Sequence, residues 1–201
     1  MSLTMEERNI TPSEAYPGDK TTTKAAEPEL LKVEITGDRY TSKEFKDQEW
    51  THMWRRVWMI AGMADDCAEP GDFFTCDLGH EPLLFVRGKD GVNGFYNICQ
   101  HRGAKLVLQE KGMMDSFSCI YHGWKYGLEG ELIEAQDRDD FERDPCEHVR
   151  LADFRTEIFA GFVWYCLDDD APGLDEFLGD MKKQDTSVEK ADEGGIEKTI
   201  F

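Results

Sequence analysis

The sequence predicts an antiparallel all-β fold of sandwich or barrel type, preceded by a single helix. Two observations predict it: apolar runs from Val57 onward are short, and turn residues interrupt them about every ten positions. A third is that a helical apolar stripe occurs before these runs, between Trp50 and Val57. With 201 residues, the chain is long enough for one domain with a real core and extensions.

The first part of the chain is polar and interrupted by proline and glycine. Residues 1–40 hold too little apolar surface to order themselves, so we expect an amino-terminal arm. A helix is predicted over about 42–56, with Thr41 and Glu44 spaced as a capping box. We expect its stripe to pack against a sheet as core, and His52 beside it to be structural. The stripe comprises Trp50, Met53, Trp54 and Val57.

The strands are predicted from the apolar runs between turn residues. A long run at 158–167 is expected to form one central strand, and His80 is expected in an exposed turn. Residues 129–147 hold nine acids against two bases and are expected to be an exposed loop, with His148 at its edge. The other predicted strands are 57–61, 73–78, 83–87, 95–98, 106–108, 117–118, 124–126 and 149–151.

Charge narrows the classes of partner. The formal net charge of −19 argues against nucleic acid and against anionic membrane surfaces, because both would repel the chain. No apolar run approaches the roughly 20 residues of a spanning helix, and the first residues lack a signal peptide's apolar core. We therefore expect a cytoplasmic protein. Residues 169–201 are again acidic, with a short helix at 174–178.

Two short segments offer metal ligands. Cys99 and His101 form a C-x-H motif, and Cys119 and His122 form a C-x-x-H motif after a gap of 17 residues. Zinc accepts two cysteines and two histidines, but zinc fingers commonly pair cysteine with cysteine and histidine with histidine. A Rieske [2Fe–2S] centre has two cysteines on one iron and two histidines on the other. Each segment here has one of each, which favours the two-iron cluster and leaves a zinc-stabilised binding module as the alternative.

The residues around these ligands carry a resemblance. Residues 99–103 read C-x-H-R-G and residues 119–126 read C-x-Y-H-G-W-x-Y, which resembles the Rieske motif of ring-hydroxylating oxygenase large subunits. The resemblance implies a Rieske-type antiparallel β-sandwich over 41–168, with a small cluster-binding subdomain at about 95–132 and one [2Fe–2S] cluster. It also implies that the hydroxyl of Tyr126 donates to a ligand sulfur.

The resemblance further implies a role in electron transfer. Such a domain accepts single electrons from a reductase or ferredoxin and passes them to a mononuclear Fe(II) on an oxygenase catalytic domain, in a subunit that forms homotrimers. That iron is held by two histidines and a carboxylate. Here only His52, His80 and His148 remain and they share no spacing, so we expect the catalytic iron in a domain that this sequence lacks. A free-standing Rieske ferredoxin is the alternative within redox proteins.

Three positions distinguish this sequence from respiratory-chain Rieske proteins. Those proteins have a disulfide between cysteines at the positions of Ala104 and Tyr121, and a serine at the position of Trp124. That serine donates to a bridging sulfur. With fewer hydrogen bonds to sulfur, the reduction potential is expected toward the lower part of the Rieske range of roughly −150 to +300 mV.

Overall fold

The computed structural model describes residues 36–136 and 138–184. The predicted arm before residue 36 and the end of the acidic extension after residue 184 lie outside the described residues. Within the described ranges, no helix combines the length and the apolar character needed to cross a membrane.

The helix predicted over about 42–56 is present at residues 43–54, and a separate helical turn precedes it in the sequence. Asp38–Thr41 forms a single turn, and the Thr41 hydroxyl donates to the Gly37 carbonyl, so Thr41 does not begin the next helix. The chain divides into two units after Ser42. In the second unit, Lys43–Glu49 is α-helical and Trp50–Trp54 continues it as a π-helix.

The predicted apolar stripe is not a buried core face. No residue of Lys43–Trp54 is buried, and Met53 and Trp54 are exposed. The Trp50 ring lies against the turn at Gly79, where a Cβ would come within 2.7 Å of its Cζ3 atom. In this part of the chain the buried tryptophan is Trp58, which follows the helix and donates from Nε1 to the Pro172 carbonyl.

The predicted all-β antiparallel fold is confirmed. One curled seven-stranded sheet has the order β1-β10-β9-β4-β3-β2-β5, and a three-stranded sheet has the order β6-β7-β8. The strands are β1 Met59–Met63, β2 Asp72–Leu78, β3 Glu81–Arg87, β4 Val92–Tyr96, β5 Lys111–Met113, β6 Phe117–Ser118, β7 Lys125–Tyr126, β8 Leu132–Glu134, β9 Asp153–Phe159 and β10 Phe162–Cys166.

The long run at 158–167 is not one strand. It is divided between β9 and β10 by a tight turn at Ala160 and Gly161, where φ is +52° and +76°. Two consecutive positive φ angles are typical of the type I′ turns that join hairpin strands. The prediction missed the turn because Ala-Gly within an apolar run lacks the usual Asn or Asp.

Neighbouring side chains of β2 and β3 face two different cores, as the alternation of a strand requires. Phe73 and Leu84 belong to a core shared with the small sheet and the two ligand segments. Phe74 and Phe85 stack with ring centroids 4.9 Å apart in a second core on the other face. The large sheet therefore separates the ligand segments from an aromatic interior that braces it.

Three predictions around the small sheet are wrong. Residues 106–108 form no strand, although Leu106 and Val107 are buried. The range 129–147 is not exposed throughout, because it contains β8 and buries Leu132. The strand predicted at 149–151 is only an isolated bridge between Glu131 and Arg150.

The predicted short helix at Leu174–Leu178 is confirmed. Leu174 and Leu178 are buried in a third apolar cluster with Trp58 and Cys166. This part of the acidic extension therefore packs on the large sheet.

Candidate metal centre

The first ligand segment forms a tight loop at the end of β4. The backbone N–H of Cys99 donates to the carbonyl of Ala104 at 2.8 Å, and the N–H of Gly103 donates back to the carbonyl of Cys99 at 3.0 Å. Gly103 has φ of +73°, in the left-handed region that glycine adopts without a Cβ clash. Three residues between these hydrogen bonds form the turn that carries His101.

The second ligand segment repeats this arrangement between β6 and β7. The N–H of Cys119 donates to the carbonyl of Trp124 at 2.8 Å, and the N–H of Gly123 donates to the carbonyl of Cys119 at 2.9 Å. Gly123 has φ of +68°. Each loop therefore places its cysteine at the base and its histidine on the turn.

The structure brings all four predicted ligand residues to one place. The imidazoles of His101 and His122 are half-buried, with ring centroids 4.6 Å apart and planes at 72°. The residues Cys99 and Cys119 are buried behind them, with 1% and 3% of their surface exposed. Two sulfurs lie inward and two imidazoles lie nearer to solvent.

A buried atom in this group lacks a partner. The Nδ1 atom of His101 is shielded from solvent and has no hydrogen-bond partner. A buried unpaired ring nitrogen is costly unless it binds something else, and a neutral imidazole nitrogen is a common metal ligand. The residues present therefore fit a centre held by two thiolates and two imidazoles.

Burial shifts the pKa of two of these side chains in ways that affect ligation. It lowers the pKa of His101, and the nearby His122 and Arg102 lower it further, which keeps the imidazole neutral as ligation requires. Burial also raises the pKa of the Cys99 thiol, while hydrogen bonds from the Tyr126 hydroxyl and from the backbone of His101 oppose that shift. Binding of a metal must complete the deprotonation of this thiol.

Tyr126 lies beneath the first loop, fully buried on β7. Its hydroxyl is 3.4 Å from the Sγ atom of Cys99 and accepts a hydrogen bond from the N–H of Gln100 at 3.0 Å. Burial is the main cause that raises the pKa of this phenol, so its proton is retained for donation to sulfur.

Aromatic rings enclose the two imidazoles. The indole of Trp124 stacks on His101 with centroids 4.6 Å apart, and Tyr121 packs on His122 with centroids 3.8 Å apart. Phe141 contacts the indole at 5.9 Å, edge to face. A shallow cavity over the imidazoles is lined by His101, His122, Trp124, Gln136, Asp140 and Phe141.

Sequence reasoning missed two residues of this neighbourhood. Gln136 packs over the second loop, where a Cβ on Gly123 would come within 2.9 Å of its Nε2 atom. Asn97 is buried at the base of the first loop and binds Val107 through its side chain. The only signal for Asn97 was its position two residues before Cys99, and no signal pointed to Gln136.

The other histidines are not brought together. His52, His80 and His148 are exposed on a helix, a turn and a loop, as predicted, and His148 contacts the Asp144 carbonyl through Nδ1. Among the residues that the structure describes, no group of three or more His, Cys, Asp or Glu side chains is placed around a single metal ion. A two-iron cluster needs only two protein ligands for each iron.

Two matching loops each present a cysteine and a histidine, one after a strand of the large sheet and one in the small sheet packed against it, and this arrangement defines a Rieske-type iron–sulfur protein. Residues 57–152 match the Rieske [2Fe–2S] domain family, so the chain contains a domain of this family. The cofactor of this domain is therefore a [2Fe–2S] cluster, in place of the zinc ion that the ligand set alone also allowed.

Known relatives are oxygenase subunits. The chain is 32% identical to the alpha subunit of biphenyl 2,3-dioxygenase from Rhodococcus jostii, over 81% of this chain and 37% of that subunit. It is 31% identical to the oxygenase subunit of glycine betaine monooxygenase from Pseudomonas aeruginosa, over 71% of this chain and 33% of that subunit. The chain thus spans little more than a third of the length of these relatives.

Solved structures agree with the fold. The apo form of the quaternary ammonium Rieske monooxygenase CntA has a TM-score of 0.69 and 28% identity, over 75% of this chain and 44% of that one. A mutant of naphthalene 1,2-dioxygenase bound to phenanthrene has a TM-score of 0.64 and 34% identity, over 69% of this chain and 32% of that one.

Proposed function

We propose that Cys99 and Cys119 bind one iron of the [2Fe–2S] cluster and that His101 and His122 bind the other. The observation that carries this proposal is the buried, unpartnered Nδ1 atom of His101, which lies in the same group as two buried thiols. The matching hydrogen bonds of the two loops support it, because they would hold the two cysteines in equivalent positions. When bound, such a cluster supplies one-electron transfer.

The ligand assignment is tested by removing one thiol. Cys119→Ser is expected to lose most of the iron, the acid-labile sulfide and the visible absorption. Cys67→Ser is the matched control, because Cys67 is equally buried but belongs to the aromatic core on the other face of the sheet. Wild-type iron content in Cys119→Ser would refute the assignment.

We further propose that the domain receives single electrons from a reductase or ferredoxin and delivers them to a mononuclear non-haem Fe(II) site on an oxygenase catalytic domain. The kinship with oxygenase subunits supports this role. So does the layout of the ligands, since the half-buried imidazoles offer a shorter path to a partner than the buried sulfurs. These relatives are named for aromatic and for quaternary ammonium substrates, and the proposed electron-transfer role does not depend on which kind of substrate the complete oxygenase uses.

Electron transfer is tested with the isolated chain. In an anaerobic reductive titration the chain is expected to take up one electron. A reductase with NADH is expected to reduce the chain without any hydroxylation of aromatic compounds. Hydroxylation by the chain and reductase alone would contradict the proposal, because the proposal places oxygen chemistry on a different domain.

The remaining expectations follow from the same resemblance. We propose a Rieske domain over 41–168, an acidic extension over 169–201 toward the catalytic domain, and a homotrimer for the complete oxygenase. We place the protein in the cytoplasm, because cysteine ligands must be kept reduced before iron binds. Its net charge of −19 disfavours nucleic acid and anionic membranes as partners.

A further inference from the structure

The two ligand loops are closed at their bases by different means. The second loop is closed by strand pairing, in which Phe117 of β6 faces Tyr126 of β7 and Ser118 faces Lys125. The first loop leaves the end of β4 and returns through residues 105–108, which form no strand. Ordinary ladder pairing is therefore incomplete at the first base.

The side chain of Asn97 completes it. Its Nδ2 atom donates to the carbonyl of Val107 at 2.8 Å, and its Oδ1 atom accepts from the N–H of Val107 at 2.8 Å. One amide side chain thus makes both hydrogen bonds that a paired residue in an antiparallel ladder would make. The returning chain is fixed to the end of β4 without a second strand.

The backbone of Asn97 is also fully used. Its N–H donates to the carbonyl of Pro82 at 2.8 Å, and its carbonyl accepts from the N–H of Leu106 at 3.2 Å. Asn97 therefore connects the large sheet to both ends of the loop. The next contacts along the loop are the bridge between Ile98 and Lys105 and then the hydrogen bond from Cys99 to Ala104.

Burial makes these bonds strong and their loss costly. Asn97 is completely buried and is the only buried polar or charged residue among those that the structure describes. An apolar replacement would leave the N–H and carbonyl of Val107 without partners away from water, which is unfavourable.

We propose that Asn97 is a positioning residue for the iron–sulfur cluster, which holds the loop that carries Cys99 and His101 in its ligating geometry. This proposal rests on the ligand assignment above. Because two loops hold the cluster and Asn97 closes only the first, its loss is expected to loosen ligation on one side while the fold persists. The expected signature is a property of the cluster, beyond any change in protein stability.

The test compares Asn97→Leu and Asn97→Ser with Asn93→Leu. Asn93 is the matched control, because it lies on β4, the strand that Asn97 directly follows, and donates through its amide to Leu128 and Glu129, outside the ligand loops. Iron release to a chelator is followed by loss of visible absorption at a temperature where far-UV circular dichroism shows every variant folded. The reduced cluster is examined by electron paramagnetic resonance.

Both Asn97 variants are expected to release iron about tenfold faster than wild type, because two buried hydrogen bonds of the loop are lost. Their resonance lines are expected to broaden, while Asn93→Leu matches wild type in both measurements. If Asn97→Leu does not fold, Asn97→Ser carries the comparison, since serine adds no bulk.

Wild-type release rates and resonance lines in the Asn97 variants would overturn the proposal. Equal acceleration in Asn93→Leu would also overturn it, because the effect would then be general destabilisation. Wild-type iron content in a variant with all four proposed ligands replaced would instead refute the ligand assignment, which separates the two failures.

Discussion

The imidazole of His101 lies parallel to the indole of Trp124, with ring planes 11° apart and centroids separated by 4.6 Å. Trp124 is buried, and it follows the second ligand loop, whereas His101 belongs to the first. The contact therefore joins the two loops and orients a proposed ligand on one of them through a side chain of the other.

Replacing Trp124 with leucine is expected to weaken both the core and the centre. The loss of a buried aromatic ring should lower the free energy of unfolding by about 2 to 4 kcal/mol. Water should also reach His101, so that chelators bleach the cluster faster. Denaturant titration and absorption spectroscopy measure the two effects. Phe141→Leu is the control, because Phe141 touches the same indole but is 40% exposed, and it should cost far less.

Tyr126→Phe is expected to lower the reduction potential. The hydroxyl 3.4 Å from the Cys99 sulfur stabilises the more negative, reduced state by donating a hydrogen bond. Loss of one such bond corresponds to a fall of about 40 to 60 mV in a one-electron couple. Protein-film voltammetry would measure it. Tyr165→Phe removes a buried hydroxyl in the other core and should leave the potential unchanged. A fall of similar size in that variant would argue against the hydrogen bond as the cause.

The two loop glycines are expected to differ in their tolerance of alanine. Both have positive φ, so each substitution should cost about 1 to 2 kcal/mol from backbone strain alone. A Cβ on Gly103 meets nothing within 4 Å, but one on Gly123 would press on Gln136. Because the contacted Nε2 atom ends a flexible, exposed side chain, Gly123→Ala should have a denaturation midpoint only slightly below that of Gly103→Ala, and adding Gln136→Ala should remove the difference. No recovery in the double variant would show that the contact with Gln136 is unimportant.

Stability is expected to fall between about pH 9 and pH 11, in part because of Cys67. Burial raises the pKa of its thiol from 9.0 to about 11. The unfolded chain therefore loses this proton first as pH rises, so the stabilisation is complete below pH 9 and disappears as pH passes the folded value. Urea midpoints of wild type and Cys67→Ala across this range would show the effect as a shallower decline in the variant. Parallel declines would contradict it.

Ala160→Asn is expected to stabilise the protein. Ala160 is an exposed residue at φ of +52°, a conformation that costs alanine about 1 kcal/mol and that asparagine tolerates better. The denaturation midpoint should rise accordingly. Ala68→Asn is the control at an exposed alanine with ordinary φ of −79°, where no gain is expected. A rise at both positions would point to a cause other than backbone strain.

The class of the domain can be predicted from its amino-acid residues alone. The cysteines and histidines of the two motifs, with Gly103 and Gly123 after them, restrict the chemistry to a few metals because each residue type has its own ligand preference. The turn signals likewise predicted the antiparallel β fold and placed strands at β2 and β3, since period and turn chemistry are local properties.

Tertiary packing sets where a strand ends, which residues form the core and how the first ligand loop is held. The run at 158–167 reads as one strand until the positive φ angles of Ala160 and Gly161 divide it. The stripe that begins at Trp50 is predicted as core, yet one face of the large sheet is covered by the small sheet and the other by the aromatic core around Phe85. Asn97 reads as an ordinary polar residue, because its two hydrogen bonds to Val107 join parts of the chain ten residues apart, and such a pairing is set by packing.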